Sequence, residues 1–230
     1  RPGAKIQVTG GGSGTGIAAL LNGTTDICNA SRPMKDSERK QFKGKYNVEI
    51  VETSVAMDGI AVYVHASNTI PSLTLPQIKA IYTGKIRDWK DVGGSPGPIL
   101  LYGRENNSGT YEFFKEHVLA GKDFAEETQT MPGTASVINA ITKDPMGIGY
   151  GGVAYAKSVR KVPVRKEDGA APIEVTKETV QNKTYPINRY LYCYSAPSLR
   201  EAGKAYLSWM LSEEGQKVVE AVGYFHLPRK

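Results

Sequence analysis

Residues 8–23 read VTGGGSGTGIAALLNG, a crowd of glycine, serine and threonine running straight into an apolar helix. Ile17, Leu20 and Leu21 fall on one helical face, and Asn22-Gly23 ends the helix begun at Ser13. Glycine-rich loops that open helices hold anions, and their spacing separates the known kinds. The dinucleotide fingerprint needs glycines at relative positions 1, 3 and 6. From Gly10 the sixth position is Thr15, and from Gly12 it is Ile17. Gly11 and Gly16 have the gap of a nucleotide P-loop, but Ile17 and Ala18 stand where its Lys and Ser/Thr belong. The nucleophile elbow fails as well, because Thr15 replaces its last glycine. What remains is an uncharged cradle: backbone N–H groups at a helix start, with Ser13, Gly14 and Thr15 converging on a small anion.

Short β-rich runs alternate with helical periodicity on both sides of this stretch, the pattern of an α/β protein with largely parallel sheets. KIQV (5–8), DICNAS (26–31), VEIVETSV (48–55) and GIAVYVH (59–65) read as strands, with a polar helix over 36–42. A Thr cap near Pro76 opens the helical segment 74–89. Glycine and proline crowd into DVGGSPGPILLYG (91–103), which reads as a linker into a second lobe with ILLY (99–102) as its first strand. Helices over 108–119 and 134–143 follow, then irregular strands to about Val164. YLYCYS (190–195) returns the chain, and two closing helices carry apolar stripes, one through Leu199, Ala202, Tyr206 and Met210, the other through Val218 and Val219.

Three further stretches repeat the cradle chemistry. GRENNSGTYEFF (103–114) places Arg104 ahead of Ser108-Gly109-Thr110 at another helix start, and an arginine fork grips oxyanions with two parallel hydrogen bonds. DICNASRPM (26–34) ends a strand on Ser31-Arg32, and strand ends are where ligands sit in α/β sheets. VAMDGIAVYV (55–64) sets Asp58 between apolar runs, with Gly59 allowing a turn. Two S-G-T loops on either side of a linker describe a cleft closed by both halves.

Length and composition agree. The 230 residues are 40% apolar, enough for one sizeable core or two modest ones, and the net charge of +6 suits an anionic ligand. No basic run is interleaved with aromatics, which argues against nucleic acid, and no apolar stretch is as long as a membrane span. His65, His117 and His226 are scattered without metal spacing, and no serine, histidine and acid set is suggested, so neither an enzyme nor a cofactor is indicated. Cys28 and Cys193 fit no metal knuckle or redox pair. The amino terminus RPGAKIQVTG has no charged segment followed by an apolar core and leaves the compartment unread.

In combination the blocks GGGSGTGIAALLNGTTDICNASRPMKDSE, MDGIAVYV, LTLPQIKAIYTGKIRDW, GRENNSGTYEFF, DPMGIGYGGVAY and EEGQKVVEAVGYFHLP span nearly the whole chain. In this order they resemble the periplasmic phosphate-binding proteins of ABC transporters, the type II solute-binding fold. The resemblance implies two α/β lobes hinged by two strands: residues 1–97 with 190–230, and residues 98–189. It implies phosphate held between them by Ser13, Ser31 and Arg32 on one side and Arg104, Ser108, Gly109 and Thr110 on the other. Asp58 would accept the proton of HPO4, which sulfate lacks. The partner implied is an ABC transporter permease, and the location periplasmic or otherwise extracytoplasmic.

Two departures from the family pattern stand out. Members carry a further strand, Gly-Ser loop and helix ahead of the first block, and the sequence from Arg1 does not include it; either it has been cut away or a second chain fills the gap, and without it the edge beside KIQV would be open to pairing. Asn106 stands where many members have a carboxylate that partly neutralises the arginine. Two alternatives remain open at this point: a sensory or interaction module of the same fold, and a binding protein for sulfate, molybdate or tungstate.

Overall fold

The computed structural model describes residues 5–228. In chain order it contains α1 (Ser13–Asn22), β1 (Ile27–Ala30), α2 (Asp36–Tyr46), β2 (Val51–Val64), β3 (Leu73–Thr74), α3 (Leu75–Tyr82), β4 (Leu100–Arg104), α4 (Gly109–His117), β5 (Gln129–Met131) and α5 (Thr134–Ile141). It continues with β6 (Gly147–Gly152), β7 (Arg160–Val162), β8 (Val164–Arg165), α6 (Lys177–Gln181), β9 (Asn188–Ser195), α7 (Glu201–Leu211) and α8 (Glu213–Ala221).

The local signals act as their chemistry demands. α1 buries Ile17, Leu20 and Leu21 and ends on Gly23 in the left-handed region, whose N–H donates to the Leu20 carbonyl. α3 is opened by a reciprocal box: Thr74 Oγ1 accepts from the Gln77 N–H at 3.1 Å, and Gln77 Oε1 accepts from the Thr74 N–H at 2.8 Å.

β2 organises the rest. The two strands expected at 48–55 and 59–65 are one strand of 14 residues, with no turn at Asp58-Gly59. Gly59 serves a close approach: a Cβ there would lie 2.4 Å from Val175 Cγ2 and 2.8 Å from Val180 Cγ2. The first half of β2 pairs antiparallel with β9, register Val51↔Ser195 to Gly59↔Asn188, with an irregularity between Ser54 and Ala56. Its second half pairs antiparallel with β6 on one edge and β7 on the other. The strand order is β1-β9-β2-β6-β4-β5. The sheet is therefore mixed rather than largely parallel, with parallel pairing confined to β4·β5, β4·β6 and the small β3·β8 pair.

Apolar packing divides into two clusters. The smaller joins Ile17, Leu20, Leu21, Cys28, Ala30, Met34, Phe42 and Tyr194. The larger takes in the second half of β2, Ile70, α3, Trp89 and Ile99 together with β4, α4, α5, β6 and α6. The expected lobe boundary at 97/98 is thus not where the clusters divide: Ile78, Ile81, Tyr82 and Trp89 pack with the second lobe, and Trp89 Nε1 donates to the Met146 carbonyl at 3.0 Å. The division falls along β2 and β9, which run from one cluster to the other.

Residues 5–8 are irregular rather than a strand; Ile6 and Val8 are 64% and 82% exposed, and β1 ends the sheet order with no partner on its outer edge among the described residues. The closing helices form as expected but bury little: α7 has no buried residue, and Trp209, Val218 and Val222 are exposed.

Cys28 sits opposite Tyr194 and Cys193 opposite Asn29 in the β1·β9 register. Directly opposed residues share a face and neighbours alternate, so the two thiols project to opposite faces of the sheet and cannot be bridged. Burial pushes Cys28 up to about 11 and Cys193 up to about 12, which keeps both as unreactive thiols. Titration of unfolded, unreduced protein should return two free thiols per chain; a disulfide would refute this register.

Candidate functional site

A cavity of about 490 Å³ lies between the clusters. One end is polar, walled by Gly12, Ser13, Ser31, Arg104, Ser108, Gly109, Thr110, Thr134, Gly152 and Arg189; the other is apolar, walled by residues that include Leu191, Tyr206, Trp209, Met210, Val218 and Val222.

On the first-lobe side, Ser13 is the first residue of α1, but its hydroxyl does not cap that helix, whose N-cap is Gly12. Ser13 Oγ instead accepts from the Ser31 N–H at 3.0 Å and lies 3.3 Å from Ser31 Oγ. The strand end and the helix start are thereby brought to one point. Gly14 and Thr15 do not wall the cavity. The Gly14 N–H donates to the Asn107 carbonyl at 3.1 Å, and Thr15 Oγ1 accepts from Asn107 Nδ2 at 3.4 Å. They are bonds between the lobes, not part of the cradle itself.

The second-lobe side is built on α4. Ser108 Oγ caps the helix, accepting from the N–H groups of Thr110 at 3.2 Å and Tyr111 at 3.4 Å. Gly109 faces the serines of the other lobe so closely that a Cβ would lie 2.2 Å from Ser13 Oγ and 2.6 Å from Ser31 Oγ. The cleft is closed, with a helix N-terminus and its partial positive charge at its wall.

Arg104 ends β4. Its Nη1 donates to Thr134 Oγ1 at 2.7 Å, and Nε and Nη2 donate to Glu105 at 3.2 and 3.3 Å. Glu105 therefore supplies the neutralising carboxylate that Asn106 does not. Burial pushes the Glu105 carboxyl up, but its bonds from Arg104 and from the Gly133 N–H outweigh that and leave it below the ordinary carboxylate range.

Two expected ligands lie elsewhere. Arg32 is 4% exposed and turned away from the cavity: Nη1 and Nη2 reach the two Glu38 oxygens at 2.8 Å each, and Nη1 also donates to the Pro33 carbonyl at 2.9 Å. Its fork is consumed by the first turn of α2, where Glu38 also accepts from the Lys35 N–H. Burial raises the Glu38 carboxyl, and Arg32 overcomes that so that the net shift is downward. A lowered folded value contributes stability that is present above the ordinary carboxylate range and lost as pH falls through the folded value. Glu38→Gln should cost on the order of 3 kcal/mol of stability at neutral pH, because a buried guanidinium loses its counter-ion, and should leave anion binding nearly unchanged. Urea unfolding and titration of the variant check both halves.

Asp58 is 0% exposed and does not wall the cavity. Its Cα partner across the sheet is Arg189, whose Nε and Nη2 donate to Asp58 Oδ2 at 3.1 and 2.8 Å. Desolvation pushes the Asp58 carboxyl up while Arg189 pulls it down. The carboxylate thus stands behind an arginine rather than on the cavity wall. Arg189 and Thr134 also wall the cavity, and the sequence reading did not single them out. The available signal for Arg189 was a lone charge just ahead of the aromatic strand YLYCYS, matched by a lone opposite charge within the apolar run 55–64.

Comparison with known proteins fits this geometry. A PBP superfamily domain model matches residues 1–214. The phosphate-binding protein PstS of Pseudomonas aeruginosa PAO1 is 37% identical over 246 residues, covering 100% of this chain and 76% of that protein. PstS of Staphylococcus epidermidis RP62A is 34% identical, covering 99% and 71%. Among solved structures, a putative phosphate ABC transporter substrate-binding protein from Clostridium perfringens with bound phosphate superposes with a TM-score of 0.84 at 35% identity, covering 94% of this chain and 85% of that one. An ABC-type phosphate transport receptor from Vibrio cholerae gives 0.79 at 25% identity, covering 99% and 90%. The two-lobed α/β architecture, the paired S-G-T loops and these relatives together make the chain a member of the PBP superfamily and, within it, of the PstS phosphate-binding proteins, a family of binding proteins rather than enzymes.

Proposed function

We propose that the chain captures inorganic phosphate in the interlobe cleft and delivers it to the permease of an ABC transporter for uptake, working outside the cytoplasmic membrane. The observation that carries this reading is convergence: Ser13 and Ser31 from one lobe, and Arg104, Ser108, Gly109 and Thr110 from the other, wall the same cavity. Dipoles and hydroxyls predominate over net charge, because Arg104 is balanced by Glu105 and Arg189 by Asp58. Such a site suits a small dehydrated anion that both accepts and donates hydrogen bonds. No helix among the described residues is long and apolar enough to cross a membrane, in keeping with a binding protein that meets its permease at the membrane surface.

Calorimetric titration of the chain with phosphate, then with sulfate and molybdate, tests the function. One phosphate per chain with a clear preference over the other two supports it. Preference for sulfate or molybdate points to the other oxyanion reading, and no binding of any anion points to a sensory or interaction module.

The apolar end of the cavity and the unpaired residues 5–8 favour a further part of the proposal: a strand, Gly-Ser-Thr loop and helix seated against β1, α7 and α8, attached to this chain or supplied by a second one. Such an element would cover Trp209, Val218 and Val222 and add donors at the polar end. Supplying it should tighten phosphate binding at least tenfold, about 1.4 kcal/mol, and raise the melting temperature. Unchanged affinity in titrations with and without the element would dismiss it.

A further inference from the structure

Many surface cations of this protein are answered by a carboxylate: Lys35 by Glu112, Lys115 by Asp123, Lys177 by Glu220 and Arg200 by Asp26. One stretch departs from this. Lys157, Arg160, Lys161, Arg165 and Lys166 crowd into residues 157–166, and none forms an ion pair among the described residues, although Glu167 and Asp168 follow directly in the chain. The three lysines are exposed. The two arginines have donors to spare: Arg160 Nη2 donates to the Ile70 carbonyl at 2.6 Å, but Arg160 Nη1 and Arg165 Nε are buried without an acceptor among the described residues. A buried donor left unpaired is costly, so both guanidinium groups gain from an oxyanion that the chain itself does not supply.

β7 and β8 carry this strip to the end of the second lobe away from the cleft. Arg160 and Lys161 lie opposite Val64 and Tyr63 at the end of β2, and Arg165 lies opposite Thr74, the cap of α3. Along β2 the step from Asp58 to Val64 is about 20 Å. None of the five cations walls the cavity. Protection of a sheet edge accounts for only part of the strip. β7 pairs with β2 alone, and a lysine on such a strand discourages pairing with another chain. Lys157 and Lys166 lie outside the strands, however, and edge protection gives no reason for the unanswered guanidinium donors.

Resting on the reading above that the chain works at the membrane surface, we propose that residues 157–166 form a docking surface for anionic phospholipid headgroups, which keeps the protein beside its permease and leaves the cleft free for phosphate. The lack of an apolar centre decides between a lipid and a protein partner. Val162 and Val164 are buried, and no large apolar side chain of the strip is exposed. Protein interfaces are centred on aromatic and aliphatic anchors, whereas a headgroup layer presents phosphodiester charge without fixed geometry. Lysines on flexible stems suit such a layer, and arginine forks take its phosphate oxygens two at a time. The net charge of +6 draws the chain toward it.

Co-sedimentation with vesicles tests the surface. The chain should bind vesicles of phosphatidylglycerol and phosphatidylcholine in equal parts, should leave phosphatidylcholine alone unbound, and should release as salt rises. Near an anionic layer one lysine contributes about fivefold in partition. The triple variant Lys157→Gln, Lys161→Gln, Lys166→Gln should therefore bind the mixed vesicles at least tenfold more weakly, with phosphate affinity unchanged in calorimetric titration. A control variant, Lys40→Gln, Lys122→Gln, Lys143→Gln, removes the same charge at exposed sites elsewhere and should keep most of the vesicle binding. All six positions are exposed, and circular dichroism verifies that both variants fold. No vesicle binding by wild type, or equal losses in the two triple variants, overturns the proposal. Binding of polyaspartate without binding of vesicles also overturns it and assigns the strip to an acidic protein segment. These outcomes leave phosphate capture standing, whereas a wild type that binds vesicles but no phosphate removes the transport reading and not the surface.

Discussion

Arg104→Ala should weaken phosphate binding by about 30-fold to several thousand-fold, the 2–5 kcal/mol expected when a desolvated charge loses its partner. The side chain is 11% exposed at the cavity wall and spends its donors on Thr134 and Glu105. Deleting it removes the cation from the second-lobe side and leaves the Glu105 carboxylate beside the anion uncompensated, so a repulsion is added to the lost attraction. Two companion variants give the sign of each part. Arg104→Lys, with charge but no fork, should fall between wild type and alanine. In Arg104→Ala/Glu105→Gln the repulsion is gone and part of the affinity should return. Circular dichroism would establish that the fold persists, since Arg104 ends a strand whose core residues Leu101 and Tyr102 are untouched. Weakening of less than tenfold would return Arg104 to the role of a structural arginine.

Gly109→Ala should do the opposite to stability and binding. An alanine Cβ would fall 2.2 Å from Ser13 Oγ and 2.6 Å from Ser31 Oγ, closer than nonbonded atoms approach, and both atoms belong to the facing lobe. The clash exists only in the closed cleft. In the open form the change replaces glycine in the first turn of α4 by a better helix former, worth up to about 1 kcal/mol. Phosphate affinity should therefore fall by the cost of overpacking, about 1–3 kcal/mol, while the melting temperature without phosphate holds or rises. Gly12→Ala is the matched test from the first lobe, where a Cβ would meet the Asn107 carbonyl oxygen at 2.1 Å. Titration and thermal unfolding of the pair check it. Undiminished affinity in both variants would mean that the anion is bound without this closure.

The parts of the site that could be read from the sequence are those built by local chemistry. Ser108 opens α4 because its hydroxyl answers two N–H groups within three residues, and that arrangement is written in the consecutive letters S-G-T. Ser13 and Ser31 were legible as a helix start and a strand end, although their bond to each other, across 18 residues, was not. The direction of Arg32 was not legible because a partner six residues on, Glu38, takes its fork; a serine-arginine pair at a strand end looks the same whether it faces ligand or helix. The pairing of Asp58 was illegible for a longer-range reason. Its fate is set by strand register with Arg189, 131 residues away, and register is fixed by the packing of both lobes rather than by any local pattern. The same cause merged two expected strands into β2. KIQV has the composition of a strand, but a strand needs a neighbour, and residues 5–8 have none among the described residues.

The most direct test of phosphate capture between the lobes is a crystal structure of the chain grown with phosphate. Tetrahedral density should lie at the polar end of the cavity, within hydrogen-bond distance of Ser13 or Ser31 from one lobe and of Arg104 and the α4 N-terminus from the other. An anion bound by one lobe alone, or density only outside this cleft, would contradict it.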